Sequence, residues 1–133
     1  MIVSLHVASG AAAGAIARSR PRAVATGLML HFLGDRVPHR DIGSRRFEIA
    51  SGGLLVLLLA ARRGPLDATV VGAVASSAPD LEHVLRLPRP GGRKLFPSHR
   101  IVGWHRSGGL STAVQVTLAG VLVGTLLGRR RAG

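Results

Sequence analysis

Six histidines and six acidic residues carry most of the chemistry that this chain of 133 residues offers. His31 and Asp35 are four residues apart and Asp80 and His83 are three apart, so each pair would share one helix face and reach the same ion. Nitrogen and carboxylate ligands without sulfur suit zinc, manganese or iron. The spacing predicts a centre of two or more divalent ions, with zinc preferred. The predicted ligands are His6, His31, Asp35, His39, Asp80, His83, His99 and His105.

Four further residues near these ligands are predicted to act in catalysis. Adjacent ions would activate a water and clamp a phosphoryl group, with Asp41 or Glu82 as general base. Arg100 and Arg106 are forked donors suited to holding phosphate. A purely structural role is the alternative for the acids: Asp41 could neutralise a neighbouring arginine, and Glu82 could be an acid favoured at a helix start.

Composition limits the class of protein. The chain carries 18 Lys and Arg against 6 Asp and Glu, and 47% of its residues are hydrophobic. That apolar content excludes a disordered basic tail, and the length allows at most one compact domain. The absence of cysteine excludes disulfides and sulfur-ligated zinc. Nucleic-acid binding is disfavoured, because base stacking needs aromatic side chains and the chain has only three Phe and one Trp.

Five stretches without charged residues alternate with charged segments. They span residues 1–17, 23–34, 49–61, 68–79 and 107–128. Glycine and proline at the junctions are typical of helix ends. The last stretch reaches the length of about 20 residues that crosses a bilayer, whereas the middle three are shorter. Residues 54–61 are apolar on every side, as a lipid-immersed or wholly buried helix requires.

Glycines recur at steps of four, at Gly10 and Gly14 and again at Gly120, Gly124 and Gly128, a spacing that lets membrane helices approach closely. We therefore predict an all-α integral membrane bundle of about five helices, in which residues 1–133 form a single membrane-embedded domain. The alternative is a bundle of short buried helices outside a membrane.

Helices of alternating direction would sort the loops and helix ends onto two faces. All six histidines and five of the six acids then fall on or near one face, whereas the other face carries arginines and a single acid, Asp67. Such groups are costly in a membrane unless paired or metal-bound, so this face is the predicted site. Arginine clusters on the opposite face, with Arg129 to Arg131 as a membrane-flanking anchor, favour that face inside. The predicted location is a multi-pass protein of a bacterial inner membrane with an extracytoplasmic site.

These motifs resemble a known family. His6 in the first helix precedes a His-x-x-x-Asp pair, a Pro-Asp-Leu-Glu-His motif at residues 79–83 and a late loop with His99 and His105. The set resembles small bacterial membrane-bound metal-dependent hydrolases, which are similar in motif to the zinc-dependent phospholipase C group. Glu82 stands where that family usually has Asp, and the two late histidines are six residues apart, which departs from its usual pattern.

The resemblance implies a metal-dependent hydrolase. The expected reaction is cleavage of a small-molecule or lipid phosphoester by metal-activated water, with membrane lipid as a partner and no nucleic acid. The alternative is a non-catalytic membrane protein that binds metal, transports it or acts as an assembly subunit. Transport is disfavoured, because a pathway needs polar groups at both faces. The oligomeric state is left open.

Overall fold

The structure is a computed structural model that describes residues 1–85 and 87–128. It contains the helices α1 (Val3–Ala17), α2 (Arg20–Gly34), α3 (Arg45–Arg63), α4 (Ala68–Ser77), α5 (Pro97–Arg100) and α6 (Thr112–Gly128). Two 3₁₀ segments follow α4, at Ala78–His83 and Pro90–Gly92. The predicted all-α architecture is confirmed, and the additional short helix α5 lies in the late loop that carries His99 and His105. The predicted anchor Arg129 to Arg131 lies outside the described residues.

Local sequence explains where the helices begin. Proline stands in the first turn of α2, where its missing N–H costs nothing. The Ser44 side chain caps α3 by accepting from Phe47 N, and the Asp67 carboxylate caps α4 by accepting from Thr69 N. Asp67, the acid predicted on the opposite face, is therefore a helix cap remote from the histidine cluster.

Helix α1 lies at the centre and packs against α2, α3, α4 and α6. Its contact with α4 requires glycine, because a Cβ added at Gly10 would overlap the carbonyl oxygen of Gly72 and one at Gly14 would overlap that of Ala68. The predicted close approach at Gly10 and Gly14 is thus confirmed. A Cβ at Gly120 would meet no atom within 4 Å, so within the described residues the α6 glycines serve no such contact.

The apolar core joins α1 to its neighbours. Leu5 and Val7 of α1, Leu59 of α3, Val70 of α4 and Val123 of α6 are all buried in one cluster. Helix α6 is fixed at its start by Gln115, which is fully buried. This core holds the ends of α1, α2 and α4 beside one another, and these ends carry the histidines and acids.

The predicted location in a bacterial inner membrane is wrong, and with it the extracytoplasmic placement of the site. No helix within residues 1–85 and 87–128 combines the length and the apolar character needed to span a bilayer. Helix α3 has 19 residues but carries arginine pairs at both ends and Glu48 in its first turn. Helix α6 has 17 residues and extends about 26 Å, less than the roughly 30 Å of a hydrocarbon core.

Candidate metal centre

Asp35 lies at the middle of the histidine cluster. It follows the last turn of α2 and is only 1% exposed. Its Oδ2 lies 3.0 Å from His31 Nε2 and 3.5 Å from His99 Nε2, and it accepts a 2.6 Å hydrogen bond from Ser98 Oγ. The predicted pairing of His31 with Asp35 at helical spacing is therefore present, and the short helix α5 adds His99 to the same oxygen.

The other oxygen of Asp35 faces a second pair of histidines. Asp35 Oδ1 lies 3.2 Å from His6 Nε2 and 3.2 Å from His105 Nε2. His6 projects from α1 and is fully buried, whereas the His105 side chain is 45% exposed. One carboxylate thus has imidazole nitrogens on both of its oxygens, a geometry in which each oxygen could bind a separate cation.

Hydrogen bonds fix which nitrogen of each inner histidine carries the proton. His31 Nδ1 lies 2.8 Å from the carbonyl oxygen of Ser76, which can only accept, and His99 Nδ1 contacts the Glu82 carboxylate. Both Nδ1 atoms are therefore donors, and the two Nε2 atoms face inward, 3.3 Å apart and beside Asp35 Oδ2, where each can bind a cation through its lone pair or carry a proton that it donates to the carboxylate. Two lone pairs at this distance repel unless a proton or a cation lies between them, and a histidine held through its other nitrogen is typical of metal ligands.

Asp80 completes this inner group from the 3₁₀ segment that follows α4. Its Oδ1 lies 4.0 Å from His31 Nε2 and 3.8 Å from His99 Nε2. Its Oδ2 is buried and has no hydrogen-bond partner among the described residues. Burial raises the pKa of Asp80 to about 6. An unpaired buried carboxylate oxygen beside two imidazole lone pairs is the donor set that a divalent cation satisfies.

Three overlapping groups of side chains offer ligand atoms that lie within 4.8 Å of one another. They are His31, Asp35 and His99; His6, His31 and Asp80; and Asp80, His83 and His99. Because they share members, the three groups form one continuous cluster. This buried His/Asp cluster is able to hold a metal ion.

His83 lies at the outer edge of the cluster. Its ring centroid is 4.3 Å from that of His99, and its Nδ1 lies 3.2 Å from Lys94 Nζ. Burial, the neighbouring His99 and the Lys94 ammonium together lower the pKa of His83 to about 4. His83 is therefore neutral at physiological pH, as a metal ligand must be.

His39 and Asp41 lie at the outer edge of the cluster, on the side of Asp35 Oδ1. His39 Nδ1 donates to the carbonyl oxygen of Val37 at 2.6 Å, so its Nε2 carries the lone pair. That nitrogen lies 3.1 Å from Asp41 Oδ1 and 2.6 Å from the amino nitrogen of Met1, which is itself 3.3 Å from Asp35 Oδ1. His39 Nε2 and Asp35 Oδ1 thus point toward the same amino group.

Backbone pairing brings His39 and His105 together. His39 N donates to Arg106 O at 3.2 Å, and Gly108 N donates to His39 O at 3.1 Å. The ring centroids of His39 and His105 are consequently 4.8 Å apart. The loop before His105 is held against α2 by Trp104, whose Nε1 donates to the carbonyl oxygen of Phe32 at 2.9 Å.

The charge states of the cluster follow from its burial and hydrogen bonds. Burial opposes ionisation of Asp35, but hydrogen bonds from His105, His31, His6 and His99 outweigh it and hold the Asp35 pKa well below its ordinary value. Burial lowers the pKa of His6 to about 3. Burial also opposes protonation of His99, yet hydrogen bonds with Asp35 and Glu82 raise its pKa overall. The centre is thus an ionised carboxylate among imidazoles.

Glu82, predicted as a general base or a helix-start acid, contacts His99, one of the predicted ligands. Its Oε1 accepts from His99 Nδ1, and its Oε2 accepts from Leu95 N at 2.6 Å and from Phe96 N at 3.4 Å. Burial raises the Glu82 pKa, but these hydrogen bonds outweigh it and keep the pKa below its ordinary value. The structure places Glu82 as a positioning residue that orients His99 and ties α5 to the 3₁₀ segment.

The remaining predicted catalytic residues lie at the rim. The Asp41 side chain is 72% exposed beside His39. Arg100 ends α5 next to His99, and Arg106 follows His105; both side chains are exposed. The structure therefore brings all the predicted metal ligands to one end of the bundle and puts the predicted phosphate-binding arginines at its outer edge.

Three residues of the site were not predicted. Ser98 donates to Asp35, the carbonyl oxygen of Ser76 orients His31, and the Arg45 guanidinium donates to the carbonyl oxygens of His83 at 2.7 Å and Val84 at 3.0 Å. Only Ser98 carried a sequence signal, since it directly precedes a predicted ligand. A backbone carbonyl and a long-range arginine contact leave no mark in residue spacing.

Comparison of the chain with protein-family models, with curated proteins and with solved structures gives no match. The resemblance to membrane-bound metal-dependent hydrolases therefore remains a prediction that depends on the motifs.

Proposed function

We propose that this protein is a metal-dependent hydrolase that cleaves phosphoesters. The observation that carries the proposal is the pair of inward-facing Nε2 atoms of His31 and His99, which lie 3.3 Å apart beside the ionised Asp35 and the unpaired Asp80 Oδ2. Buried nitrogen and oxygen donors without sulfur suit zinc, manganese or iron. A packed core without a cation would need protons on these nitrogens and would leave the buried Asp80 oxygen without a partner.

The two oxygens of Asp35 define two positions for ions. The first would be held by Asp35 Oδ2 with His31, His99 and Asp80. The second would be held by Asp35 Oδ1 with His6, His105 and His39 around it, in the place where the Met1 amino group lies in this structure. Asp35 would thus contribute one ligand oxygen to each position, and two adjacent ions would supply the charge stabilisation used in two-ion hydrolysis.

Hydrolysis of a phosphoester requires a nucleophile, charge neutralisation and a proton acceptor. Bound divalent ions would supply Lewis acidity and lower the pKa of a water. Asp41 is exposed beside His39 and is the proton acceptor in this proposal, because both Glu82 oxygens are already engaged. The exposed Arg100 and Arg106 would bind the phosphoryl oxygens, with two N–H groups each.

The test is hydrolysis of bis(p-nitrophenyl) phosphate by the purified full chain, before and after treatment with a chelator. We expect activity that chelation removes and that zinc or manganese restores. Asp35→Asn should abolish it, whereas the matched charge removal Asp67→Asn, which keeps a good helix cap, should leave it unchanged. Bound metal without hydrolysis in the unmodified protein would instead favour a non-catalytic metal-binding protein.

A further inference from the structure

A groove with a volume of about 780 Å³ runs from the metal centre along α3. One wall is formed by Ile49, Val56 and Leu57 of α3. The other is formed by Leu81 of the first 3₁₀ segment and by Val84, which directly follows that segment. At one end the lining changes from apolar to polar, where Asp80, His83 and His105 of the cluster face it. The groove is therefore continuous with the proposed reaction site.

Gly53 lies in the wall of this groove, in the interior of α3. A helical glycine costs about 1 kcal/mol relative to alanine, so its presence needs a reason. Its neighbour Gly52 has a packing reason, because a Cβ there would approach Val3 Cγ1 to 2.6 Å. A Cβ at Gly53 would meet no atom of residues 1–85 and 87–128 within 4 Å. Packing thus does not require glycine at position 53, and the space above it belongs to the groove.

Charged groups of both signs line the groove, since Asp41, Glu48 and Asp80 face it together with Arg45. The Arg45 guanidinium is held by its hydrogen bonds to the carbonyl oxygens of His83 and Val84. These carbonyl groups leave its charge in place, so an anionic group would be bound by Arg45 together with cations held by the cluster. An apolar channel that ends at a cation-holding site with a fixed arginine matches a molecule with a hydrocarbon chain and an anionic head.

We propose that the groove binds the hydrocarbon chain of an amphiphilic phosphoester whose headgroup lies at the metal centre, and that Gly53 is a specificity-determining residue that leaves room for the chain. This inference deepens the proposed function and rests on it for the position of the headgroup. Chain binding itself depends only on the groove, so the two claims can fail separately.

The test compares octylphosphonate with methylphosphonate, both resistant to hydrolysis, by calorimetry on the full chain as purified with its metal. Each buried methylene strengthens binding about fourfold, so burial of half of the seven extra methylenes gives about 100-fold tighter binding of the octyl compound. Gly53→Leu should remove this preference and leave methylphosphonate binding unchanged. Gly120→Leu, an exposed glycine of α6 outside the groove, is the matched control and should keep the preference.

A second variant guards against misfolding of Gly53→Leu. Ile49→Ala shortens the wall and should weaken octylphosphonate binding several-fold without affecting methylphosphonate. Equal affinities of the two phosphonates for the unmodified protein would overturn the proposal, as would a change of oligomeric state in Gly53→Leu with the chain preference intact. Octyl-selective binding without any phosphoester hydrolysis would leave the groove proposal standing and refute the proposed catalytic function.

Discussion

Glu82→Gln separates a positioning residue from a general base. The carboxylate of Glu82 accepts from His99 Nδ1 through one oxygen and from Leu95 N and Phe96 N through the other. The amide of glutamine can keep one of these acceptor roles but must turn its NH₂ group toward one of the donors. His99 then loses the charged acceptor that fixes its ring and makes Nε2 a better ligand.

The size of the effect follows from this contact. Loss of a carboxylate partner of a ligating histidine lowers metal affinity about 10- to 100-fold, which corresponds to roughly 1.4–2.7 kcal/mol. Loss of a general base would instead lower kcat about 10²- to 10⁴-fold at saturating metal and leave metal affinity unchanged. The structure predicts the first pattern, with kcat largely preserved once the metal concentration is saturating.

The assay is a zinc titration against a competing chromogenic chelator, followed by hydrolysis rates at saturating zinc. Asp67→Asn serves as the control for removal of a carboxylate charge elsewhere. Unchanged zinc affinity in Glu82→Gln, or a large loss of kcat with the metal site full, would refute the positioning role and restore Glu82 as a candidate base.

Three further predictions concern pH, packing and the second ion position. Zinc affinity should fall steeply below about pH 6, because protons compete with zinc for Asp80, whose pKa is raised to about 6, and for His99, whose pKa is also raised. Zinc titrations across pH 5–8 measure this, and a constant affinity would contradict it. Gly10→Ala should destabilise the protein by about 1–3 kcal/mol in urea unfolding, whereas Gly120→Ala should not destabilise it. His39→Ala should release one of two bound ions and keep the other, as metal analysis would show; loss of both or neither would disprove separate positions.

The sequence predicted that these side chains cluster because helical spacing is a local property. His31 with Asp35 needed only the four-residue repeat of α2, and the resulting contact is 3.0 Å. The role of Glu82 could not be predicted, because it depends on α5 folding back so that His99 and the Leu95 N–H group meet the same carboxylate. Residue spacing carries no information about such a long-range contact.

In the fold, too, local spacing was predictable from the sequence and long-range contacts were not. Glycines at four-residue steps predicted close helix contacts at both Gly10 and Gly120, yet only Gly10 meets another backbone. Spacing identifies a face able to approach closely, but the partner depends on the tertiary arrangement. The membrane prediction is wrong because the apolar stretches belong to helices that are too short or end in charged residues, as the arginine pairs at both ends of α3 show.

The metal content of the purified chain tests the central claim most directly. Elemental analysis of protein prepared without added metal should find at least one tightly bound zinc, manganese or iron ion per chain, and X-ray absorption should show nitrogen and oxygen ligands only. Asp35→Asn should abolish this content in a protein that remains helical by circular dichroism. A folded unmodified protein that contains no such ion, and takes up none on addition of zinc or manganese, would contradict the account.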